Sequence, residues 1–430
     1  MKKTEEYIKA NNLEIPYSEN LDILGTSFTV NGKTVPNRLA IQPMEGCDGT
    51  KDGAFDELTH RRYERFAKSG AGLIWAEATA VVHEGRANPR QLYLTEKNLD
   101  SYKKEVEFIR ETAMKENSIN PVIILQATHS GRYSKPEGVP APLIGYNKPI
   151  FEKDNPISAD RILSDDYLKA LEEKYGETAR LAELAGFDGV DIKCCHGYLM
   201  SEMMGAHLRE GMYGGSYENR TRLFFNSIEH AKANTGKDFI VTSRMNVYDG
   251  FPYPYGFGVN EKDGLAPDLA EPLKVVDTLK NKYGFELLDI TIGNPYVNPH
   301  VNRPFNKGPY ESPENPLIGV ERMMKCVSEI QKKNPEVAII GSGFSYMGKE
   351  CENIAAGAVE QDICTMAGFG RQAFAYPDFA KDILSGGMKQ EKTCLACGKC
   401  TELMRAVQVA GCVICDNQVY MPIYKEHCMK

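Results

Sequence analysis

The chain has 430 residues, 42% of them hydrophobic and 26% charged, which suffices for a large buried core. A formal net charge of −8, with no Lys/Arg block, argues against a nucleic-acid surface. No run reaches the roughly 18 apolar residues of a membrane helix, and the opening MKKTEEYIKANNLEIP lacks the apolar centre of an export signal. A cytoplasmic setting is therefore expected for the 12 cysteines, where thiols serve metals or catalysis more often than disulfides.

In chain order, residues 1–24 carry no clear periodicity and read as a surface extension. Ser27 to Pro36 then carries Asn31-Gly32 between two short apolar runs, a strong signal for a hairpin with a type I′ turn. Leu39-Ala40-Ile41 leads into Gln42-Pro43-Met44-Glu45-Gly46. Further apolar runs begin at Gly72, Pro121, Gly189, Phe239, Leu287, Val337 and Asp362. Helical segments lie between them, among them 55–68, 99–115, 167–185 and 266–282. Eight strand–helix units predict an α/β fold, a (β/α)₈ barrel. An open doubly wound sheet is the runner-up, but no G-x-G-x-x-G turn follows an early strand. Long Pro-, Gly- and Tyr-rich insertions at 131–150, 247–260 and 294–310 follow strands and are expected to roof a pocket.

In such a barrel chemistry gathers where strands end. The predicted strand ends offer Gln126 and His129, then Lys193, His196 and Tyr198, then Arg244. Gly341-Ser342-Gly343 follows the seventh strand and Gly368-Phe369-Gly370-Arg371 the eighth. A lone glycine turn or a lone strand-end arginine is ordinary structure. Together, after strands seven and eight, they fit a phosphate site of backbone N–H groups and a guanidinium. Gln126 and Arg244 are then placed to hydrogen-bond the edge of a heteroaromatic ring.

Half of the cysteines occupy the last 37 residues, a composition shift that marks a separate module. Cys394-x₂-Cys397-x₂-Cys400-x₁₁-Cys412 supplies four closely spaced thiolates. The spacing alone suits an iron–sulfur cluster and a zinc ion about equally. Cys194 and Cys195 read as packing residues, and Cys47 falls near the pocket mouth with no role assigned.

Six stretches, in order, resemble one family: Asn37-RLAIQPM, Leu125-QATHSGRYS, His196-GYL, Tyr213-GGSYENRTR, Ser243-Arg244 and Gly370-RQAFAYPDF. They are similar to the old yellow enzymes, FMN-dependent NADH:flavin oxidoreductases. The likeness is greatest to their iron–sulfur branch, which contains 2,4-dienoyl-CoA reductase and trimethylamine dehydrogenase. The resemblance implies an FMN on the barrel mouth, with Pro43, Met44 and Ala78 along the ring and Gln126 on its pyrimidine edge. It puts Arg244 at N1 and Gly343, Gly370 and Arg371 on the phosphate. Lys193 and His196 would hold a substrate carbonyl oxygen, and Tyr198 would donate a proton to the α-carbon. Two positions depart from the family pattern: Lys193 replaces a usual His, and Glu45 a usual Thr or Cys.

The resemblance also decides the metal. It implies a 4Fe–4S cluster on Cys394, Cys397, Cys400 and Cys412, with Cys415 an alternative fourth ligand and Cys428 without a role. The expected organisation is an N-terminal extension (1–24), an FMN-binding barrel (25–385) and a cluster-binding segment (386–430), without the branch's nucleotide-binding domain. The expected activity is an ene-reductase acting on a small unsaturated carbonyl, enoate or enoyl thioester. Electrons would enter through the cluster from a separate donor protein, or from NAD(P)H at the FMN. The alternatives are an oxidative amine or C–H dehydrogenase and, less favoured, an electron-transfer subunit. No nucleic acid or membrane partner is expected, and a homo-oligomer is admitted.

Overall fold

The computed structural model describes residues 2–263, 265–305, 308 and 310–429. Positions 306, 307 and 309 of the third expected roof insertion, and the terminal positions 1 and 430, lie outside the described residues. The hairpin forms as β1 (Phe28–Val30) and β2 (Lys33–Val35), paired antiparallel. Asn31 and Gly32 both take positive φ, 48° and 72°, as a type I′ turn requires.

The barrel strands are β3 (Leu39–Ile41), β4 (Leu73–Ala80), β5 (Val122–Thr128), β6 (Gly189–Ile192), β7 (Ile240–Thr242), β8 (Arg244–Asn246), β9 (Leu287–Thr291), β10 (Ala338–Gly341) and β11 (Met366–Phe369). Their order, β7-β6-β5-β4-β3-β11-β10-β9-β8, is parallel throughout. β7 and β8 are one strand interrupted at Ser243: β7 pairs with β6 and β8 with β9. A parallel bridge from Cys194 to Met245 joins the two edges. Nine segments thus make the predicted eight-stranded α/β barrel.

Two apolar layers follow from strand alternation. Ala40, Leu73, Trp75, Ile124, Ile240, Leu287, Ile340 and Met366 fill the interior together with Val30 and Val35, so the hairpin plugs one end. The opposite side chains pack against the helices in a second, larger core.

The structure corrects the sequence reading in two places. The N-terminal extension holds a helix, Lys2–Ala10, and a single turn, Leu21–Gly25. The last strand begins at Met366 rather than near Asp362. Asp362 takes a left-handed φ of 52°, and its N–H caps the end of the helix Cys351–Glu360.

After the barrel, helices Lys399–Arg405 and Asn417–Cys428 share a small core of Leu403, Val409, Val413, Tyr420 and Tyr424. Asp416 anchors this segment through Arg61 Nη1 (2.8 Å) and through Arg65. The Ala410 N–H donates to the Gly46 carbonyl at 2.7 Å, next to the end of β3.

Beneath that loop Arg62 is buried between Asp48 and Glu77, each at 2.6 Å, and it also reaches the Met44 carbonyl at 3.3 Å. Truncating one partner of a buried ion network leaves uncompensated charge. Arg62→Ala is expected to cost about 3–5 kcal/mol, measured as a lower urea midpoint at unchanged slope.

Candidate active site

The strand ends open into a cleft. Its floor is set by two acids in strand centres, Asp191 and Asp289, both fully buried. Asp191 accepts from Gln126 Nε2 (2.6 Å), Trp75 Nε1 (2.8 Å) and the Arg244 N–H (2.8 Å). Asp289 lies 3.1 Å from Arg244 Nε and accepts from Gln42 Nε2 at 2.9 Å. Burial pushes the two carboxyls up, to about 7 and about 6 respectively. The pair fixes the Gln126 amide and the Arg244 guanidinium side by side on the floor.

On one wall Lys193 and Tyr198 converge on Glu45, which the Pro43-Met44-Glu45 turn brings across the mouth. Glu45 Oε1 accepts from the Tyr198 hydroxyl at 3.0 Å and lies 3.4 Å from Lys193 Nζ. The Lys193 ammonium sits 3.8 Å from the centre of the Tyr198 ring, within cation–π range. The Tyr198 and Tyr296 hydroxyls are 2.8 Å apart, and Tyr296 stacks on Tyr133 at 3.9 Å. Burial, then Glu45, holds the Tyr198 phenol well above its ordinary range, so it stays protonated.

His196 and Gly197 both take positive φ, 65° and 69°, turning the chain sharply after β6. His196 Nε2 is buried without a protein partner. Burial, with Arg244 and Lys193 nearby, depresses its pKa well below the usual value, so it faces the cleft as a neutral imidazole.

The far end of the cleft is made of Gly343, Gly370 and Arg371. Gly343 has a φ of 98°, which side-chain-bearing residues rarely adopt. A Cβ on Gly370 would meet Met44 Sδ at 3.0 Å. These glycines leave backbone close to the cleft, and the residues present fit a flat ring over Gln126 and Arg244 with a phosphate at the glycine end.

Of the expected flavin and substrate residues, Pro43, Met44, Gln126, Lys193, His196, Tyr198, Arg244, Gly343, Gly370 and Arg371 line the cleft. Ala78 does not. It is buried in β4 just past an irregularity that shifts the β4–β5 register between Trp75 and Ala78. The acids Asp191 and Asp289, and Tyr133 and Tyr296, were not anticipated. An acid between two apolar residues of a buried strand, as in Val190-Asp191-Ile192, was the available signal.

His129 also points away from the cleft. Its Nδ1 accepts from the Gly131 N–H at 3.0 Å and its Nε2 is 3.1 Å from the Tyr167 hydroxyl. Burial pushes its pKa down to about 4. The unfolded chain therefore takes up a proton near pH 6.5 that the folded chain refuses until about pH 4, so stability present above 6.5 is lost as pH falls through that window. His129→Asn is expected to flatten the pH dependence of unfolding free energy there by up to about 1.4 kcal/mol per pH unit, measured by urea denaturation from pH 7 to 4.

Cys394, Cys397, Cys400, Cys412 and Cys415 line an adjoining small pocket. Cys400 also borders the main cleft. Among the described residues, no three His, Cys, Asp or Glu side chains converge as a single metal ion would need. Cys394 Sγ accepts from the Ala396 N–H at 3.4 Å and Cys412 Sγ from the Cys415 N–H at 3.3 Å. The exposed Cys415 instead directs its thiol to the Lys392 carbonyl. Cys428 packs on the small core of the segment. Among the described residues, no helix is long and apolar enough to cross a membrane.

The family model described as NADH:flavin oxidoreductase / NADH oxidase matches residues 24–390. An NADPH dehydrogenase of Geobacillus sp. is 30% identical over 276 residues, 63% of this chain and 73% of that protein. The NADPH dehydrogenase of Clostridium acetobutylicum is 26% identical over 256 residues, 58% and 71% of the two chains. Among solved structures, a 2-naphthoyl-CoA reductase complex superposes with a TM-score of 0.74 at 19% identity, covering 92% of this chain and 57% of that one. An old yellow enzyme homologue from Zymomonas mobilis gives 0.63 at 21% identity, covering 84% and 92%. At such identities the solved structures establish a shared fold.

Proposed function

The chain belongs to the NADH:flavin oxidoreductase / NADH oxidase family, and on that premise we propose that it is an ene-reductase, reducing the C=C bond of an α,β-unsaturated carbonyl, enoate or enoyl thioester. Family membership makes it an FMN-dependent enzyme that draws on NAD(P)H. The observation that carries the finer reading is the grouping of a protonated Tyr198 with Lys193 and an unpartnered, neutral His196 on one wall, facing Gln126 and Arg244.

Gln126 and Arg244 would hold the flavin edge, Pro43 and Met44 its face, and Gly343, Gly370 and Arg371 its phosphate. FMN held there would supply hydride chemistry at the carbon β to the carbonyl. His196 and Lys193 donate to the carbonyl oxygen as it gains charge; donors of this kind are each worth about 3–4 kcal/mol. Tyr198 gives its hydroxyl proton to the α-carbon. The Lys193 ammonium beside the ring offsets the charge left on the phenolate, and Tyr296 is in reach to restore the proton.

The electrostatics disfavour the oxidative amine alternative. Lys193 and Arg244 are paired with Glu45 and Asp289, while Arg303 and Arg371 border the cleft without a carboxylate partner among the described residues. A cationic amine would enter against that field. A neutral, electron-poor alkene with an oxygen to stabilise would not.

We further read residues 1–24 as an extension, 25–385 as the FMN barrel and 386–430 as a cluster-binding segment. Cys394, Cys397, Cys400 and Cys412 are the proposed 4Fe–4S ligands, and backbone N–H groups on two of their sulfurs suit thiolates. Thiolates that each bind a different iron need not converge on one point, as a zinc site would demand. A cluster held there would supply one-electron chemistry next to the cleft, which Cys400 borders. All 12 cysteines are unpaired, which suits a reducing cytoplasm.

Steady-state turnover tests the reading. With NADPH or NADH and a panel of enones, enoates and enoyl thioesters under argon, we expect reductant oxidised mole for mole with saturated product. Reductant consumption without any saturated product from the whole panel would refute it.

A further inference from the structure

A cavity opens beside the cleft, between the loop carrying Arg303 and the helix carrying Arg405. It shares Arg303, Arg371 and Thr401 with the cleft, but Gly343 and Gly370 do not line it. Arg303, Arg371 and Arg405 border it together. Among the described residues, none of the three has a carboxylate oxygen within ion-pairing distance, although acids outnumber bases in this chain, 59 to 51.

Their hydrogen bonds go to neutral oxygens. Arg303 donates to Thr401 Oγ1 (2.8 Å) and the Pro295 carbonyl (3.2 Å), Arg405 to the same carbonyl (3.1 Å), and Arg371 to the Pro304 carbonyl (3.3 Å). The nearby acid, Glu402, accepts from the Tyr424 hydroxyl instead. Burial, then Arg371 and Arg405, lowers the Arg303 pKa to about 10, as expected for guanidiniums that repel one another. With Arg371 facing the phosphate assigned to the FMN and Cys400 the acidic side chain nearest Arg303, Arg303 and Arg405 are left as two partly open guanidiniums on one cavity without a carboxylate partner among the described residues, an arrangement suited to an anion from outside the chain.

The cavity meets the cleft at Arg371 and continues past it to Arg303 and Arg405. We infer that Arg303 and Arg405, with Arg371 between them and the cleft, form a second anion subsite that takes the phosphate groups of a long ligand whose reacting end lies in the cleft. Resting on the ene-reductase reading, this assigns the preferred ligand to phosphate-bearing molecules, either an enoyl thioester with a phosphorylated carrier or the nicotinamide reductant.

The test uses the FMN-loaded enzyme with inorganic pyrophosphate as the probe in calorimetry. Arg405→Gln is expected to weaken pyrophosphate binding about 10-fold, and Arg303→Gln with Arg405→Gln about 100-fold, with FMN content unchanged. Kinetics then separates the sources. A KM that rises about 10-fold for a coenzyme A thioester, but not for the same acyl group on N-acetylcysteamine, assigns the subsite to the substrate. A rise confined to NADPH and NADH assigns it to the reductant. In either case kcat with cyclohexenone stays unchanged in Arg405→Gln. Unaltered pyrophosphate affinity in both variants overturns the inference, as does affinity lost only together with FMN. Neither result touches alkene reduction, which stands or falls on turnover with neutral enones. Should Arg303→Gln fail to fold, Arg405→Gln decides alone.

Discussion

Tyr198→Phe is expected to keep FMN bound and reducible while slowing alkene reduction by about 10²–10⁴-fold. The ring itself is well supported, with Lys193 3.8 Å from its centre and Tyr133 at 5.9 Å, so removing one oxygen leaves the wall in place. What disappears is the hydroxyl that faces the cleft from this wall and donates to Glu45. The loss should fall on product formation and not on reduction of the flavin by NAD(P)H, since no proton donor is needed there. Stopped-flow separation of the two half-reactions makes the distinction. An oxidative half-reaction as fast as wild type would remove Tyr198 from the mechanism, with Tyr296, 2.8 Å away, the next hydroxyl to examine.

Cys397→Ser carries the second large effect. Iron should fall from about four atoms per chain to well below one, while FMN content holds, because Cys397 does not line the main cleft. Cys415→Ala and Cys428→Ala should both retain iron. The Cys415 thiol turns to the Lys392 carbonyl, and Cys428 belongs to the packing of the terminal helix. Direct turnover with NAD(P)H should survive in Cys397→Ser, and one-electron reduction through a donor protein should not. Full iron in Cys397→Ser would overturn the ligand assignment.

Much of this was readable in the chain because buried parallel strands are continuous apolar runs, and seven of the eight runs became strands close to where they were expected. The eighth began late, since Asp362-Ile363-Cys364 looks apolar enough for a strand but serves to turn the chain out of a helix. Lys193, His196 and Tyr198 were visible as a polar knot after one strand. Their partner Glu45 is 148 positions from Lys193, and only closure of the barrel brings β3 beside the mouth where the two meet. Lys193, the position that departs from the family, is thereby explained together with the other departure: the ammonium and the Glu45 carboxylate are a pair. Ala78 illustrates the opposite limit. Alternation along β4 cannot assign its side after the register shifts between Trp75 and Ala78. Tyr296 was hidden for another reason, since a Pro- and Tyr-rich loop announces a roof without saying which tyrosine points inward.

The most direct measurement is a single turnover. FMN-loaded protein is reduced by anaerobic dithionite titration, then mixed with one equivalent of cyclohexenone, a cinnamate or an enoyl thioester while the visible spectrum is followed. The account predicts that at least one of these restores the oxidised flavin spectrum with formation of an equal amount of saturated product. A reduced flavin that none of them reoxidises, but that an amine substrate's product or an electron acceptor alone does, would contradict it.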